Sequence, residues 1–236
     1  WRPITPLSGP RAYACSAIVE DEDGQPEMWV MGGLDDDGNS MATVEAYNPR
    51  TNPWRSCLPL SQDRWGAVAG VVGGRLVVAG GYGGDDDDNG RLTSVEAYTP
   101  TGWTPLPPLP HAVFDATACV LDGRLYVIGG QDCNKLQVLE MSEENELTWT
   151  VKAELPSSRF DAASAAVDGK LWLIGGTANW LASNSVLIYD IDADSWVTGP
   201  SLPRATYGVR AAALNGEVLV IPADTAAGAR GHYAVI

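Results

Sequence analysis

The sequence is short of several residue types, and each shortage narrows the class of protein. Its 236 residues include four cysteines, two histidines and two phenylalanines. The cysteines show no C-x2-C spacing and no N-x-[ST] glycosylation sequence occurs, so we expect reduced thiols and a cytoplasmic protein. No apolar run approaches the roughly 20 residues of a membrane span, and no segment keeps a helical period.

Positive charge is also scarce. The chain has 15 Lys and Arg against 30 Asp and Glu, a net charge of −15. Nucleic acids and anionic membrane surfaces are therefore poor partners for the chain as a whole. The chain opens on Trp1 and not on Met, so we expect that its N-terminus has been trimmed.

What the sequence does contain is a repeat. Apolar runs that end in a pair of small residues recur at intervals of 46 to 49 residues, at Gly33, Gly81, Gly130, Gly176 and Ala223. A second strand-like run and a tryptophan follow in step, and a strand of small residues precedes each pair. The tryptophans are Trp54, Trp103, Trp149 and Trp196, which we expect to be largely buried. Four short strands per repeat of this length are typical of a β-propeller blade.

The glycine pair, the tyrosine of "VEAY" and the tryptophan together resemble the Kelch repeat over essentially the whole chain. The fifth repeat departs from the pattern, because Pro222-Ala223 stands where the glycines belong. The resemblance implies an all-β fold, a β-propeller of four-stranded antiparallel blades. We predict a single domain over residues 1–236.

The two ends of the chain bear on the number of blades. Ile236 falls where a third strand ends, and Trp1 begins a segment that suits a fourth strand. We therefore expect five blades, the last closed by the N-terminal strand so that no sheet edge is left open. The small residues of the innermost strands suit a narrow hub. A six-bladed propeller with one repeat missing is the alternative.

One repeat position is the candidate recognition surface: it lies 17 residues before the second residue of each small pair, or 22 in the first repeat, where five extra residues intervene. Arginine recurs there, the next position is aromatic in four of five repeats, and both types are usual anchors of binding surfaces. The alternative is structural: the aromatics pack between blades and the arginines pair with acidic loops. The predicted partner-binding residues are Arg11, Arg64, Arg159, Arg204, His111, Trp65, Phe114, Phe160 and Tyr207.

An acidic loop in the second repeat fits a calcium-loop pattern. Asp85, Asp87, Asn89, Gly90 and Glu96 match D-x-[DN]-x-[DN]-G-x5-E. An EF-hand holds this loop between helices, whereas here it joins two strands. We predict a solvated loop, no metal site and no cofactor.

Catalytic signatures are weak. His111 and His232 lie far apart in sequence, and Asp115, Asp161 and Arg210 share one alternation pattern that favours a satisfied polar cluster over catalysis. The resemblance is nearest to the propellers of BTB-Kelch substrate adaptors of cullin-RING ubiquitin ligases. It implies a non-enzymatic, monomeric module that binds a protein or peptide, and the arginines suggest an acidic one. A mutarotase-like sugar enzyme and a structural spacer are the alternatives.

Overall fold

The computed structural model describes residues 3–21, 23–83, 90–144 and 146–221, and the backbone of 233–235. Every regular element in these ranges is a β-strand, and no helix within them is long and apolar enough to cross a membrane. The all-β prediction is confirmed. Several residues discussed above lie outside the described ranges: Trp1, Asp85, Asp87, Asn89, Pro222, Ala223, His232 and Ile236.

The strands pair antiparallel in the order of the chain. The first sheet holds β1 (Cys15–Glu20), β2 (Pro26–Met31), β3 (Val44–Tyr47) and β4 (Trp54–Cys57). The second holds β5 (Val68–Val72), β6 (Arg75–Ala79), β7 (Val95–Thr99) and β8 (Gly102–Leu106). The third holds β9 (Thr117–Leu121), β10 (Arg124–Ile128), β11 (Leu136–Met141) and β12 (Leu147–Lys152).

The later strands repeat this plan with one addition. They are β13 (Arg159–Phe160), β14 (Ala163–Val167), β15 (Lys170–Ile174), β16 (Thr177–Ala178), β17 (Leu181–Ala182), β18 (Val186–Asp190), β19 (Ser195–Thr198), β20 (Arg210–Leu214), β21 (Glu217–Ile221) and β22 (Tyr233–Val235). The fourth sheet has the order β14-β15-β18-β19 and the fifth β20-β21-β22, while β13, β16 and β17 form a small sheet of their own.

Contacts group the residues into two compact units. The first unit is Trp1–Phe114 with Met141–Thr148, and the second is Asp115–Glu140 with Trp149–Ile236. The apolar core of the first unit lies between the first two sheets, where Trp29 and Met31 of β2 meet Leu76 and Val78 of β6. In the second unit one cluster lies between the third and fourth sheets and another between the fourth and fifth.

The second strand of the second, third and fourth sheets is buried on both faces, which explains its continuous apolar sequence. In β6 and in β15 every residue after the first is buried. Neighbouring sheets cover both faces of such a strand, so an alternating pattern would leave polar side chains in the core. The first strands are richer in small residues and alternate instead, as in β5 and β14.

The outer tryptophans tie each sheet to the segment that leads into it. The indole Nε1 groups of Trp54, Trp103 and Trp196 donate to the carbonyls of Thr5, Leu58 and Ala153, over 2.8 to 2.9 Å. Each of these rings also contacts a tyrosine of the adjacent strand. The indoles are half-buried, less than the sequence predicts, because an outer strand keeps one side in water.

The glycine pairs are required by close approach between consecutive repeats. Gly33 N–H donates to the carbonyl of Arg64 over 2.8 Å, and Gly130 N–H to that of Arg159 over 2.7 Å. A Cβ placed on Gly32 would lie 2.3 Å from the Arg64 oxygen, so no other residue fits there. The glycines therefore mark the junctions between repeats.

The N-terminal segment does not form a strand in the described part of the chain. Residues 3–10 have no ladder partner, and within the described residues the fifth sheet has three strands. Instead this segment lies against the first sheet, through Thr5 and Ser8. Closure by the N-terminal strand and the count of five blades stay predictions.

Candidate functional site

The chain enters the first strand of each sheet through a left-handed turn that recurs at one repeat position. Tyr13, Gly66, Asp115, Asp161 and Gly208 occupy it, with φ between 50° and 62°. Backbone hydrogen bonds link neighbouring members, from Gly66 N–H to Tyr13 and from Gly208 N–H to Asp161, both over 2.9 Å. The predicted rim residues flank this turn, so its geometry decides which of them face solvent.

The recurrent arginines point inward at this turn. Arg64 is 2% exposed; it donates to the carbonyls of Gly80 and Ser94 over 2.9 and 3.1 Å and pairs with Glu96 over 2.9 Å. Its guanidinium therefore caps the backbone at the end of β6 and the start of β7. Burial lowers the pKa of Arg64 against the opposing pull of Glu96.

Arg11 and Arg159 repeat the arrangement. Arg11 donates to Gly32 and Thr43 and pairs with Glu45 over 2.8 Å, with both side chains almost fully buried. Arg159 donates to the Gly175 carbonyl over 2.8 Å and to the Ser185 hydroxyl over 3.0 Å. The partner-binding role of these three arginines stays a prediction, and one that their internal bonds weigh against.

The partner of each arginine varies with the repeat. Strand register places Glu45, Glu96, Gln137 and Leu187 at one equivalent position of the third strand in their sheets. In the third repeat Val113 stands at the arginine position and Gln137 at the glutamate position, and each is buried. This repeat thus has neutral residues at both positions.

Four aromatic residues of the first unit form one connected cluster. Trp65 lies at its centre, with ring centroids 5.4 Å from Tyr13, 5.3 Å from Tyr82 and 5.2 Å from Phe114. Phe114 is buried, whereas Tyr13 is 53% and Tyr82 37% exposed. Arg91 lies over the Phe114 ring at 5.8 Å. The buried ring of Phe114 and the half-buried ring of Trp65 thus support two exposed tyrosines, a rigid surface of the kind that anchors partners.

The second unit places its predicted site residues differently. Phe160 is half-buried and meets the ring of Trp180 at 5.4 Å. Tyr207 is 58% exposed, and the Arg204 side chain is exposed too. His111, in the first unit, is also exposed. The sequence reasoning missed Tyr13, Tyr82 and Trp180, although Trp180 was visible as a tryptophan outside the repeating positions of Trp54, Trp103, Trp149 and Trp196.

Asp115, Asp161 and Arg210 form the polar cluster that the sequence suggested. Burial and then the charge of Asp161 raise the pKa of Asp115 to about 7, and Arg210 acts against this rise. Burial likewise raises the pKa of Asp161. The Arg210 guanidinium also donates to the carbonyls of Gly208 and Val209. Two carboxyls share one cation here, so the cluster is only partly neutralised.

Of the five residues of the calcium pattern, the structure describes Gly90 and Glu96. Glu96, its last member, is buried and holds Arg64 and the Ser61 N–H, so its oxygens are already engaged. No group of three His, Cys, Asp or Glu side chains in the described ranges could hold a metal ion. A pocket of about 360 Å³ lies beside the Arg11–Glu45 pair, between residues 8–11 and strands β3 and β4.

The sheets and their contacts define a class of protein, one built from consecutive four-stranded sheets with glycine, tyrosine and tryptophan at fixed places. The family model described as Kelch motif matches residues 25–60, 64–110 and 158–203, more than half of the chain. The chain therefore belongs to the Kelch-repeat family.

Several curated proteins are similar to the chain. Human Kelch-like protein 33 is 32% identical over 132 residues, which is 54% of this chain and 23% of that protein. Human Kelch repeat and BTB domain-containing protein 12 is 28% identical over 149 residues, 55% of this chain and 23% of that protein. Mouse Kelch-like protein 35 is 30% identical over 152 residues, 61% and 24%. The chain spans about a quarter of each relative's length.

The fold recurs in a solved structure. The structure of YjhT matches with a TM-score of 0.80 and 19% identity, over 100% of this chain and 82% of that chain. At this identity the likeness concerns the fold alone. Together with the Kelch repeats it supports the predicted β-propeller.

Proposed function

We propose that this chain is a protein-recognition module and that its partner binds where the chain enters the first strands of the sheets. The aromatic cluster of the first unit carries the proposal. Tyr13 and Tyr82 are exposed, yet both rest on Trp65, so their positions are fixed before a partner arrives. Fixed aromatic side chains lose little conformational entropy on binding.

The choice of contact residues follows from what each side chain already bonds. Arg11, Arg64 and Arg159 would have to abandon backbone carbonyls and buried partners to reach a ligand. Tyr13 and Tyr207 are more than half exposed, so a partner would bury two large rings there. The predicted preference for an acidic ligand accordingly depends on Arg204, whose side chain is exposed.

The wider role that we propose is substrate recognition within a larger protein. One relative is named as containing a BTB domain, and the chain aligns with only 23% of that relative. The resemblance to BTB-Kelch adaptors suggests that the module selects substrates for a cullin-RING ubiquitin ligase. In this role it acts by binding and not by catalysis.

The experiment is a binding measurement with matched variants. A partner captured by affinity purification is purified and titrated against the wild-type chain and against Tyr13→Ala and Tyr82→Ala. We expect each variant to lose about 1–3 kcal/mol of binding free energy with its melting temperature unchanged. The control is Leu58→Ala, which removes another exposed apolar side chain of the same unit.

Two results would contradict the proposal. Equal affinity of both tyrosine variants would place the site elsewhere on the chain. A loss in Leu58→Ala equal to the loss in Tyr13→Ala would show that the assay reports general surface hydrophobicity.

A further inference from the structure

The hairpin that joins β16 and β17 carries a residue that its backbone does not favour. Ala178 pairs with Leu181, which leaves Asn179 and Trp180 as a two-residue turn with φ of 49° and 64°. Two positive φ values in such a turn favour Asn followed by Gly, because glycine has no Cβ. The hairpins between β9 and β10 and between β14 and β15 follow this rule, with Asp122-Gly123 and Asp168-Gly169 at the two turn positions. Tryptophan in this conformation is unusual.

Burial does not account for the tryptophan either. Trp180 is 63% and Leu181 72% exposed, so most of both apolar side chains lies in water. Within the described residues, the ring of Trp180 has one aromatic neighbour, Phe160, which meets it edge to face at 5.4 Å. A strained backbone that displays apolar side chains to solvent is typical of functional sites.

The hairpin also stands out by its charge. No charged residue occurs between Leu171 and Tyr189, in a chain whose net charge is −15. The nearest cation in the small sheet, Arg159, turns its guanidinium to Gly175, Ser183 and Ser185. The tip therefore presents an indole and an isobutyl group without a charge of its own.

The base of the hairpin is held firmly. Strand β13 pairs with β16, and Ser183 accepts a backbone hydrogen bond from Thr206 over 3.0 Å. Together with the Phe160 contact, these bonds fix the direction in which the tip projects. Such a preformed element binds at a low ordering cost.

We propose that the Asn179–Leu181 tip is an anchor which inserts Trp180 and Leu181 into an uncharged, apolar cleft of a partner protein. The inference rests on the proposed function and names the kind of surface that the partner offers. A projecting pair of apolar side chains requires a concave acceptor, and the absence of charge matches an apolar lining. A lipid surface fits less well, since the tip has no Lys or Arg and the chain is strongly acidic.

A photocrosslinking experiment on the full chain tests the anchor. A benzoylphenylalanine at position 181 captures the protein in contact, which is then identified, purified and titrated. We expect Trp180→Ala to weaken its binding at least tenfold and Trp180→Lys more strongly, since a charge enters an apolar cleft. Leu214→Ala, another exposed apolar residue of the second unit, should change affinity less than twofold.

A second variant separates recognition from folding. Trp180→Gly restores the preferred turn residue, so we expect its melting temperature to be equal to the wild type or higher, while binding falls like that of Trp180→Ala. A marked drop in melting temperature would assign Trp180 a structural role and overturn the inference.

The remaining outcomes are also decisive. Capture of a second copy of this chain, capture of no protein, or Trp180-dependent binding to phosphatidylcholine–phosphatidylserine vesicles would each overturn it. If the captured protein depends on Tyr13 and Tyr82 but not on Trp180, the proposed function stands and the anchor fails. If it depends on none of the three, both fail.

Discussion

At the scale of single residues, the arginines that three of the five repeats carry bind backbone carbonyls within the fold. Arg64 and Arg11 satisfy carbonyls that the glycine pair leaves at the end of the second strand, and a carboxylate neutralises each of them. A buried ion pair of this kind is costly to break from one side but replaceable as a unit. The third repeat has neutral residues, Val113 and Gln137, at the two equivalent sequence positions.

Arg64→Ala should therefore destabilise the protein strongly, by about 3–5 kcal/mol, because Glu96 is left charged and buried. The double variant Arg64→Val with Glu96→Gln copies the third repeat and should recover most of this loss. Denaturant unfolding of the two variants and the wild type measures the difference. A double variant as unstable as Arg64→Ala would show that the lost stability comes from the hydrogen bonds to the backbone carbonyls and not from the unpaired charge of Glu96.

The same residues show where sequence reasoning reached its limit. The spacing of Arg11, Arg64 and Arg159 was visible, and so was their position beside the turn. Whether each guanidinium faces solvent or the sheet depends on carbonyls that only the folded backbone brings near. The spacing of the repeats therefore identified equivalent arginines correctly, but it could not tell whether their side chains face solvent or the interior.

At the scale of elements, the segment before β1 behaves as part of the first sheet. Ser8 donates its N–H and hydroxyl to Glu45, and Thr5 accepts the indole N–H of Trp54. Ser61 holds Glu96 and Leu58 holds Trp103 in the same way in the second repeat. Each linking segment thus secures the outer strand of the sheet that it enters.

Deleting residues 1–9 should lower the free energy of unfolding by about 2–4 kcal/mol, the sum of a few hydrogen bonds at roughly 1 kcal/mol each and some buried surface. Thermal unfolding with matched buffers measures the loss. Ser8→Ala is the graded control and should cost less, about 1 kcal/mol. An unchanged melting temperature for the deletion would show that the contacts of this segment do not contribute to the stability of the protein.

Some of the strands could be predicted from the sequence and others could not. The glycine pairs and tryptophans recur because backbone approach and strand packing require them, so four-stranded sheets were predictable. Strands β13, β16 and β17 consist of two residues each, too short for any period to reveal them. The position of residues 3–10 against the first sheet could not be predicted either, because Thr5 and Ser8 bind partners more than 30 residues away in the sequence.

At the scale of the whole molecule, charge sets how stability varies with pH. Burial acts to raise the pKa of Glu45, but hydrogen bonds from Ser8 and Arg11 outweigh it and the net pKa is lowered. A carboxyl with a lowered pKa contributes stability that is lost as the pH falls below its ordinary value. The pKa shift of Asp115 has the opposite sign: its pKa is raised to about 7, because the protonated carboxyl is favoured in the folded state.

Stability should therefore be greatest near pH 5 and decline toward pH 8. Between the ordinary aspartate pKa and about 7 the folded state binds more protons than the unfolded state, so the free energy of unfolding falls as the pH rises. Asp115 is half-buried and water screens it, so we expect a loss of about 1–2 kcal/mol, less than the full shift implies.

Asp115→Asn keeps the left-handed turn, since Asn tolerates positive φ, and should remove most of this decline in stability between pH 5 and pH 8. Asp168→Asn is the matched control, because Asp168 has φ of 49° and is exposed. Urea unfolding at pH 5, 6.5 and 8 compares the three proteins. An alkaline decline of the same size in Asp115→Asn would move its origin away from the Asp115, Asp161 and Arg210 cluster.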